Sequence, residues 1–297
     1  MTTEISTRLL VHALVREDGT VAADELYPAA EALGMTDQQV RLCVRRLVAE
    51  GTFSQEGRGR KAVLRSSGTA GEELAARTGY VRLAYRQDRG DAPWDGTWHL
   101  IAFAVPEARR AARDALRETV TALGAAAVQG GLYAGPHAIG GPVGEAAERL
   151  GIRSALTLAT SRDLRVGEAS SARAVAAALW PLDEIAGRYG ELAGIARAVL
   201  ARPAPAGSAA GGRDALVDAV GMAAAFSRAM SPDPLLPPEL LPVGWAGAEA
   251  RALAARAWTR LLDAEAAAGA AGGGAGGPRL RLFRDYGETI RTAATAP

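Results

Sequence analysis

Between Thr97 and Asp163 the sequence alternates two kinds of segment in an order that restricts the fold strongly. An apolar run, TWHLIAFAV, precedes a proline-initiated helical segment, PEARRAARDALRETVTALG, and two short strands follow around a Gly-Gly turn. A second helical segment, GPVGEAAERLG, and a further strand, SALTLATSRD, complete the series. Strand, helix, strand, strand, helix, strand is the order of the split βαβ unit, and it predicts a ferredoxin-like domain over residues 92–165.

The segment ahead of this domain contains three short helical patterns and a basic hairpin, and the second pattern, VAADELYPAAEALG, predicts a helix that begins at Val21 and is ended by Gly34. Thr36 and Gln39 form a capping box at the start of the third helix, and Gly51 supplies its end. From Thr36 to Arg65, seven cationic residues against three anionic ones give a charge of +4, whereas the whole chain carries +1. Three helices followed by a glycine-broken basic hairpin predict a winged helix-turn-helix domain over residues 1–68.

The third helix is amphipathic. At 100° per residue, its apolar side carries Val40, Cys43, Val44, Leu47 and Val48, and Leu42 is the one apolar residue on the polar side. Arginine matches guanine O6 and N7, and glutamine matches adenine N6 and N7. A solvated helix face is the alternative interpretation. The residues that we predict to contact DNA are Gln38, Gln39, Arg41, Arg45, Arg46, Arg58, Arg60 and Lys61.

Composition limits the chemistry that the chain can perform. A single cysteine, Cys43, excludes an intramolecular disulfide, and the three histidines are too far apart in sequence to form a recognisable metal-binding motif. Neither a GxxxxGK[ST] phosphate loop nor a GxSxG elbow is present. The start of the chain does not resemble a signal peptide, and no run approaches a membrane span. We therefore expect a cytoplasmic protein with no membrane contact, no metal, no cofactor and no catalytic residue.

Two tryptophans precede an arginine-rich helix at the start of the central domain. Indole rings could stack on an aryl or adenine ring of an effector, and arginines could hold its phosphates. The alternative is that both indoles complete the core of a small sheet while the arginines are solvated. The candidate ligand-binding residues are Trp94, Trp98, Arg109, Arg113, Tyr133 and His137.

The remaining segments are mainly helical, so the whole chain is predicted to be α+β. Residues 69–91 are charged and sparsely apolar and predict a connecting helix or linker. Residues 166–265 predict a helical C-terminal domain with a break at Trp180-Pro181 and a glycine- and alanine-rich linker, RPAPAGSAAGG. Residues 266–297 predict a glycine-rich linker and tail.

Several motifs in a fixed order resemble the PaaX family of transcriptional repressors, which control phenylacetate catabolism and related pathways. After the predicted winged helix come WDGTWHLIAFAVPEARRAARDALR, GLYAGPH, ALWPLDEIAGRYGEL and DPLLPPELLPVGWAGAEAR, and the similarity covers roughly residues 5–265. The resemblance implies a homodimer that binds a palindromic double-stranded DNA operator. It also implies release by an aryl- or acyl-CoA thioester such as phenylacetyl-CoA, and a central domain related to a CRISPR nuclease.

Two other classes of function compete with a repressor. An enzyme would be a metal-dependent nuclease on the central fold or a CoA thioesterase, and a third class is a winged-helix module that binds proteins. The related nucleases carry an aspartate at the end of the first strand of the domain, where this chain has Pro106. Glu107 is the nearest carboxylate, and at a helix start it serves the helix dipole equally well. We therefore predict a domain without catalytic activity.

Overall fold

The structure, a computed structural model, describes residues 6–15, 19–67, 70–202, 209–270, 290 and 294. The chain forms two compact units. The first unit comprises Met1–Tyr85, Arg188–Met230 and Ala246–Pro297, and the second comprises Arg86–Gly187 and Ser231–Trp245. With helices throughout and two small antiparallel sheets, the protein is α+β.

The first unit begins with three helices and a three-stranded antiparallel sheet. The sheet has the order β1-β3-β2, and β3 pairs with both of its neighbours. The elements are α1 (Thr7–Ala13), β1 (Thr20–Ala22), α2 (Ala23–Ala32), α3 (Asp37–Ala49), β2 (Phe53–Glu56) and β3 (Val63–Ser66). Sequence analysis expected the second helix to begin at Val21, and that start is wrong because Val21 pairs with Leu64 in the sheet.

The bounds of α3 follow from local backbone chemistry. The Thr36 side chain accepts a hydrogen bond from the Gln39 backbone N–H, and the Gln39 side chain accepts one from the Thr36 backbone N–H. These two bonds satisfy amide groups that a helix start otherwise leaves unpaired. At the other end Gly51 adopts φ +71°, and the Thr52 N–H donates to the Leu47 carbonyl in a Schellman arrangement. The predicted cap and stop are both present.

The core beneath α3 comes from α1, α2 and the sheet. Val40, Val44 and Leu47 are buried, as are Leu10, Leu26, Phe53 and Leu64. The apolar side predicted for α3 is wrong at one position, since Val48 is exposed. Cys43 is only partly buried. The covered stripe is therefore narrower than the apolar stripe in the sequence.

As far as the structure describes it, the rest of the first unit is helical. Its helices are α9 (Ala209–Met230), α10 (Ala246–Ala270), and the parts within the unit of α4 (Ala70–Asp88) and α8 (Leu182–Ala201). Arg251 is 3% exposed, donates to the Tyr189 hydroxyl at 2.6 Å and lies over the Tyr189 ring. Residues 203–208 of the predicted linker, and the tail from residue 271 apart from residues 290 and 294, lie outside the described residues.

The second unit contains the split βαβ arrangement. The strands are all antiparallel in the order β5-β6-β4-β7. The six elements expected from the sequence are present: β4 (Trp98–Phe103), α5 (Arg110–Ala122), β5 (Ala126–Gln129), β6 (Leu132–Gly135), α6 (Gly140–Arg149) and β7 (Leu156–Ser161). A further helix, α7 (Ala172–Leu179), belongs to the same unit and ends at the predicted break at Trp180-Pro181.

Each face of this sheet carries a separate apolar core. Ile101, Phe103 and Tyr133 pack with Leu116 of α5 and Val143 of α6. Alternation along β4 points Trp98 to the opposite face. The second core contains Trp98, Val175, Ala176, Trp180, Leu182, Leu236, Leu240 and Leu241. Residues three apart in one strand thus belong to different cores.

Candidate nucleic-acid interface

The polar side of α3 is exposed to solvent. The five predicted DNA contacts on this helix are all exposed, and we call them the basic face: Gln38, Gln39, Arg41, Arg45 and Arg46. Two of the five have local partners. The Gln39 side-chain oxygen belongs to the capping box, and Arg41 forms an ion pair with Asp37 at 3.3 Å, with 60% of its side chain exposed. Such an exposed i,i+4 ion pair contributes only about 0.3–0.5 kcal/mol to stability, so the Arg41 guanidinium can readily exchange Asp37 for another anion.

The second group of predicted contacts lies at the tip of the hairpin formed by β2 and β3, which we call the basic hairpin. Gly57 and Gly59 adopt φ +78° and +63°, values that residues other than glycine rarely adopt. They reverse the chain into a single 3₁₀ turn at Gly59–Lys61. Arg58, Arg60 and Lys61 are consequently exposed at the tip, as predicted contacts must be.

Charge on these two surfaces is largely uncompensated. None of the described carboxylates forms an ion pair with Arg45, Arg46, Arg58, Arg60 or Lys61. The neighbouring Arg65 differs, since its guanidinium pairs with Glu56 at 3.4 Å. Five cations without a carboxylate partner among the described residues leave a positive potential that suits a polyanion.

Sequence analysis placed Leu42 on the polar side of α3, but it did not identify an ion pair between α1 and the end of this helix. Leu42 lies on the exposed side with 45% of its surface accessible, and Arg8 of α1 forms an ion pair with Glu50 at 2.7 Å. Burial raises the pKa of the Cys43 thiol above its usual range, although Arg8 and Arg46 act in the opposite direction. The thiol is therefore protonated at neutral pH and is a poor nucleophile.

The predicted effector residues do not converge on one cavity. Trp98 is 1% exposed, stacks on Trp180 at 6.2 Å and meets the edge of Trp94 at 5.1 Å. Tyr133 packs in the core on the other side of the sheet, where its ring stacks on Phe103 at 5.3 Å. The structure brings the two predicted tryptophans together and separates them from Tyr133.

His137 and the two arginines are engaged in contacts of their own. The His137 Nε2 lies 2.8 Å from the Leu235 carbonyl, and the pKa of His137 is lowered, mainly because burial disfavours the imidazolium. Arg109 donates to the Gly151 and Leu150 carbonyls, both at 2.7 Å, at the end of α6. Arg113 forms an ion pair with Glu107 at 2.9 Å. A neutral histidine and a carbonyl-bound arginine are poorly prepared to hold phosphates.

Among the described residues, no acid cluster lies at the end of β4, the position at which a nuclease of this fold would carry its aspartate. Pro106 follows the strand, and Glu107 forms ion pairs with Arg110 and Arg113. An open depression of about 500 Å³ lies nearby, and its lining, which includes Phe103, Gly131 and Thr157, contains no ionisable side chain. Within the described ranges no three His, Cys, Asp or Glu residues are grouped so that they could hold a metal ion.

A helix that crosses a lipid bilayer needs about 20 consecutive, mainly apolar residues. In the part of the chain that the structure describes, every helix is too short or too polar to cross one.

These observations define a two-unit α+β protein with a split βαβ sheet in one unit and an exposed cationic surface on the other. The model of the PaaX protein central Cas2-like domain matches residues 91–175, and that of the PaaX-like protein C-terminal domain matches residues 180–269. The chain belongs to the PaaX family, a family known for transcriptional regulators.

Comparison with other proteins adds support for the fold. A solved structure titled uncharacterized protein Rv0674 from Mycobacterium tuberculosis is similar to this chain, with a TM-score of 0.53 and 22% identity. The similarity covers 90% of this chain and 100% of that chain. No curated protein matches the sequence.

Proposed function

We propose that this protein is a transcriptional regulator that binds double-stranded DNA through α3 and the basic hairpin. The observation that carries the proposal is the set of five cations, on α3 and on the hairpin tip, that have no carboxylate partner among the described residues. The succession of α1, α2, α3 and a β2–β3 hairpin is the order of elements in a winged helix-turn-helix. In that arrangement α3 enters the major groove and the hairpin lies on the backbone.

The two surfaces have different tasks in this proposal. The side chains of the basic face extend from one side of a helix and can read base edges, because guanidinium and amide groups pair with guanine and adenine. Arg58, Arg60 and Lys61 sit on a narrow tip and are placed to neutralise phosphates. The former group would set sequence specificity, and the latter would contribute affinity for any sequence.

Salt dependence tests the role of the hairpin. We expect the full-length chain to select a duplex from a random-sequence pool and to bind it with an affinity that falls steeply with salt. The triple variant Arg58→Ala/Arg60→Ala/Lys61→Ala should flatten the slope of log K against log salt by about 2.7, since each lost phosphate contact removes about 0.9. Fluorescence anisotropy titrations of the selected duplex at several salt concentrations measure both slopes.

A matched variant controls for total charge. Arg110, Arg165 and Arg197 are exposed and form ion pairs with carboxylates outside the proposed interface. Their triple alanine variant removes the same number of cations and should leave the slope almost unchanged. A wild-type affinity that does not respond to salt would contradict DNA binding and favour a module that binds proteins.

We further propose that the regulator is a homodimer and represses from a palindromic operator, as the family resemblance implies. A dimer with two-fold symmetry binds two equivalent half-sites, so the selected duplex should contain an inverted repeat. The mass of the complex, measured by light scattering in the same buffer, should correspond to two chains of 30.6 kDa per duplex. One chain per duplex, or a selected site without an inverted repeat, would contradict the dimer.

Release by an aryl- or acyl-CoA thioester, with no catalytic turnover, completes the proposal. Phenylacetyl-CoA at about 100 times its dissociation constant should raise the free energy of unfolding by about 2.7 kcal/mol, because it binds only the folded chain. A thermal-shift screen of thioesters, with free CoA as the control, measures this effect. Chromatography of the recovered thioester tests for hydrolysis, and turnover would favour a thioesterase instead.

A further inference from the structure

Large apolar side chains are seldom exposed in the described part of this chain. Only four are exposed there: Leu42, Val48, Leu158 and Val243. Two of the four belong to α3, a helix of thirteen residues that has a well-formed apolar stripe elsewhere on its surface. Leu42 is the more exposed of these two, at 45% against 38% for Val48. A single exposed leucine is common on protein surfaces, so only its position on the helix can indicate a role for Leu42.

Leu42 occupies the centre of the basic face. Residues three and four apart are neighbours on a helix surface. The four helical neighbours of Leu42 are consequently Gln38, Gln39, Arg45 and Arg46, which are all exposed members of the basic face. Val48 differs because its N-terminal neighbours are Val44, which is buried, and Arg45, and because only one residue of α3 follows it. A duplex that contacts the basic face therefore covers Leu42.

The chemistry of the major groove supplies a partner for an apolar side chain at this position. Of the four bases, only thymine presents a methyl group there, and small apolar contacts to that methyl distinguish it. Polar base edges would instead lose water without gaining a hydrogen bond if they faced a leucine. From the placement of Leu42 we infer that it is a specificity residue that contacts the 5-methyl group of a thymine in the operator. This inference rests on the proposed DNA-binding function.

Replacing thymine by deoxyuridine tests the contact, because it removes the methyl group and preserves base pairing. In the duplex selected by the full-length chain, each thymine is replaced in turn. We expect one or two replacements to weaken wild-type binding by about fourfold each, since burying a methyl-sized group contributes about that factor. Leu42→Ala should lose this sensitivity, so that the variant binds the thymine and deoxyuridine duplexes equally well.

Val48→Ala is the matched control, because it truncates an exposed apolar residue on the same helix and should keep the deoxyuridine sensitivity of the wild type. Circular dichroism should show both variants folded, since alanine favours the helix more than leucine or valine does. DNA binding with no sensitive thymine, or equal sensitivity in Leu42→Ala and wild type, would overturn this inference and leave the proposed function standing. Failure of the wild type to bind any duplex would overturn both.

Discussion

The double variant Arg41→Ala/Arg45→Ala should bind the selected duplex about 30-fold to 10⁴-fold more weakly than the wild type. Each arginine that contacts a guanine through two hydrogen bonds contributes about 1–3 kcal/mol, and the two losses combine. Both side chains extend from the exposed side of α3. Arg45 has no carboxylate partner among the described residues, and the Asp37 partner of Arg41 is exposed. Neither substitution therefore removes a contact on which the fold depends.

Competition experiments separate base reading from general attraction. The titrations are repeated with an excess of non-specific duplex. Loss of base contacts should lower the ratio of specific to non-specific affinity, whereas loss of phosphate contacts should leave that ratio nearly constant. The control is Arg110→Ala/Arg165→Ala, two arginines with 68% of the side chain exposed that lie in the second unit. Unchanged specific affinity in the α3 variant would show that α3 does not read the operator.

Local signals account for what the sequence predicted well. The capping box at Thr36 and the glycine stop at Gly51 involve only neighbouring residues, so α3 begins and ends where its sequence indicates. Period-two and period-3.6 patterns with glycine and proline boundaries likewise predicted the six elements from β4 to β7. Each of these signals lies within a few residues of the element that it specifies.

The errors arose where distant segments decide the outcome. β1 is only three residues long, and it exists because Thr20 and its two successors pair with β3, more than forty positions away. No periodicity can be detected in three residues. Val48 is exposed for a related reason, since the elements packed against α3 cover a narrower stripe than its apolar residues offer. The helical periodicity of apolar residues therefore predicts the centre of a buried stripe better than its edges.

The alternation of side chains along β4 bears on the candidate effector residues and can be predicted from the sequence alone. Trp98 and Ile101 are three positions apart in one strand, and residues an odd number of positions apart point to opposite faces. Since Ile101 packs against α5, Trp98 faces away from the helix that carries Arg113. Strand parity alone therefore argues against one pocket formed by both side chains.

Trp98→Ala should destabilise the second unit by about 3–5 kcal/mol, the usual cost of removing a buried aromatic side chain. Trp98 is 1% exposed and lies between Trp94 and Trp180, against apolar side chains of α7 and of residues 236–241. Alanine would leave a cavity that these neighbours can fill only in part. Native-state hydrogen exchange of the β4 amides measures the loss of stability within this unit. A global melting curve would not separate this loss from the unfolding of the other unit.

Trp94→Ala is the matched control, since it removes the same kind of ring from a position that is only partly buried. The Trp94 indole N–H donates to the Thr97 carbonyl, which is nearby in sequence. Removing Trp94 should therefore reduce the protection of the β4 amides from hydrogen exchange less than removing Trp98 does. If Trp98 is instead the floor of an effector pocket that tolerates truncation, Trp98→Ala would keep β4 protection and lose the thermal shift caused by phenylacetyl-CoA. That result would replace a core role for Trp98 with a ligand-binding one, because a cavity-forming substitution cannot leave hydrogen exchange in its own strand unchanged.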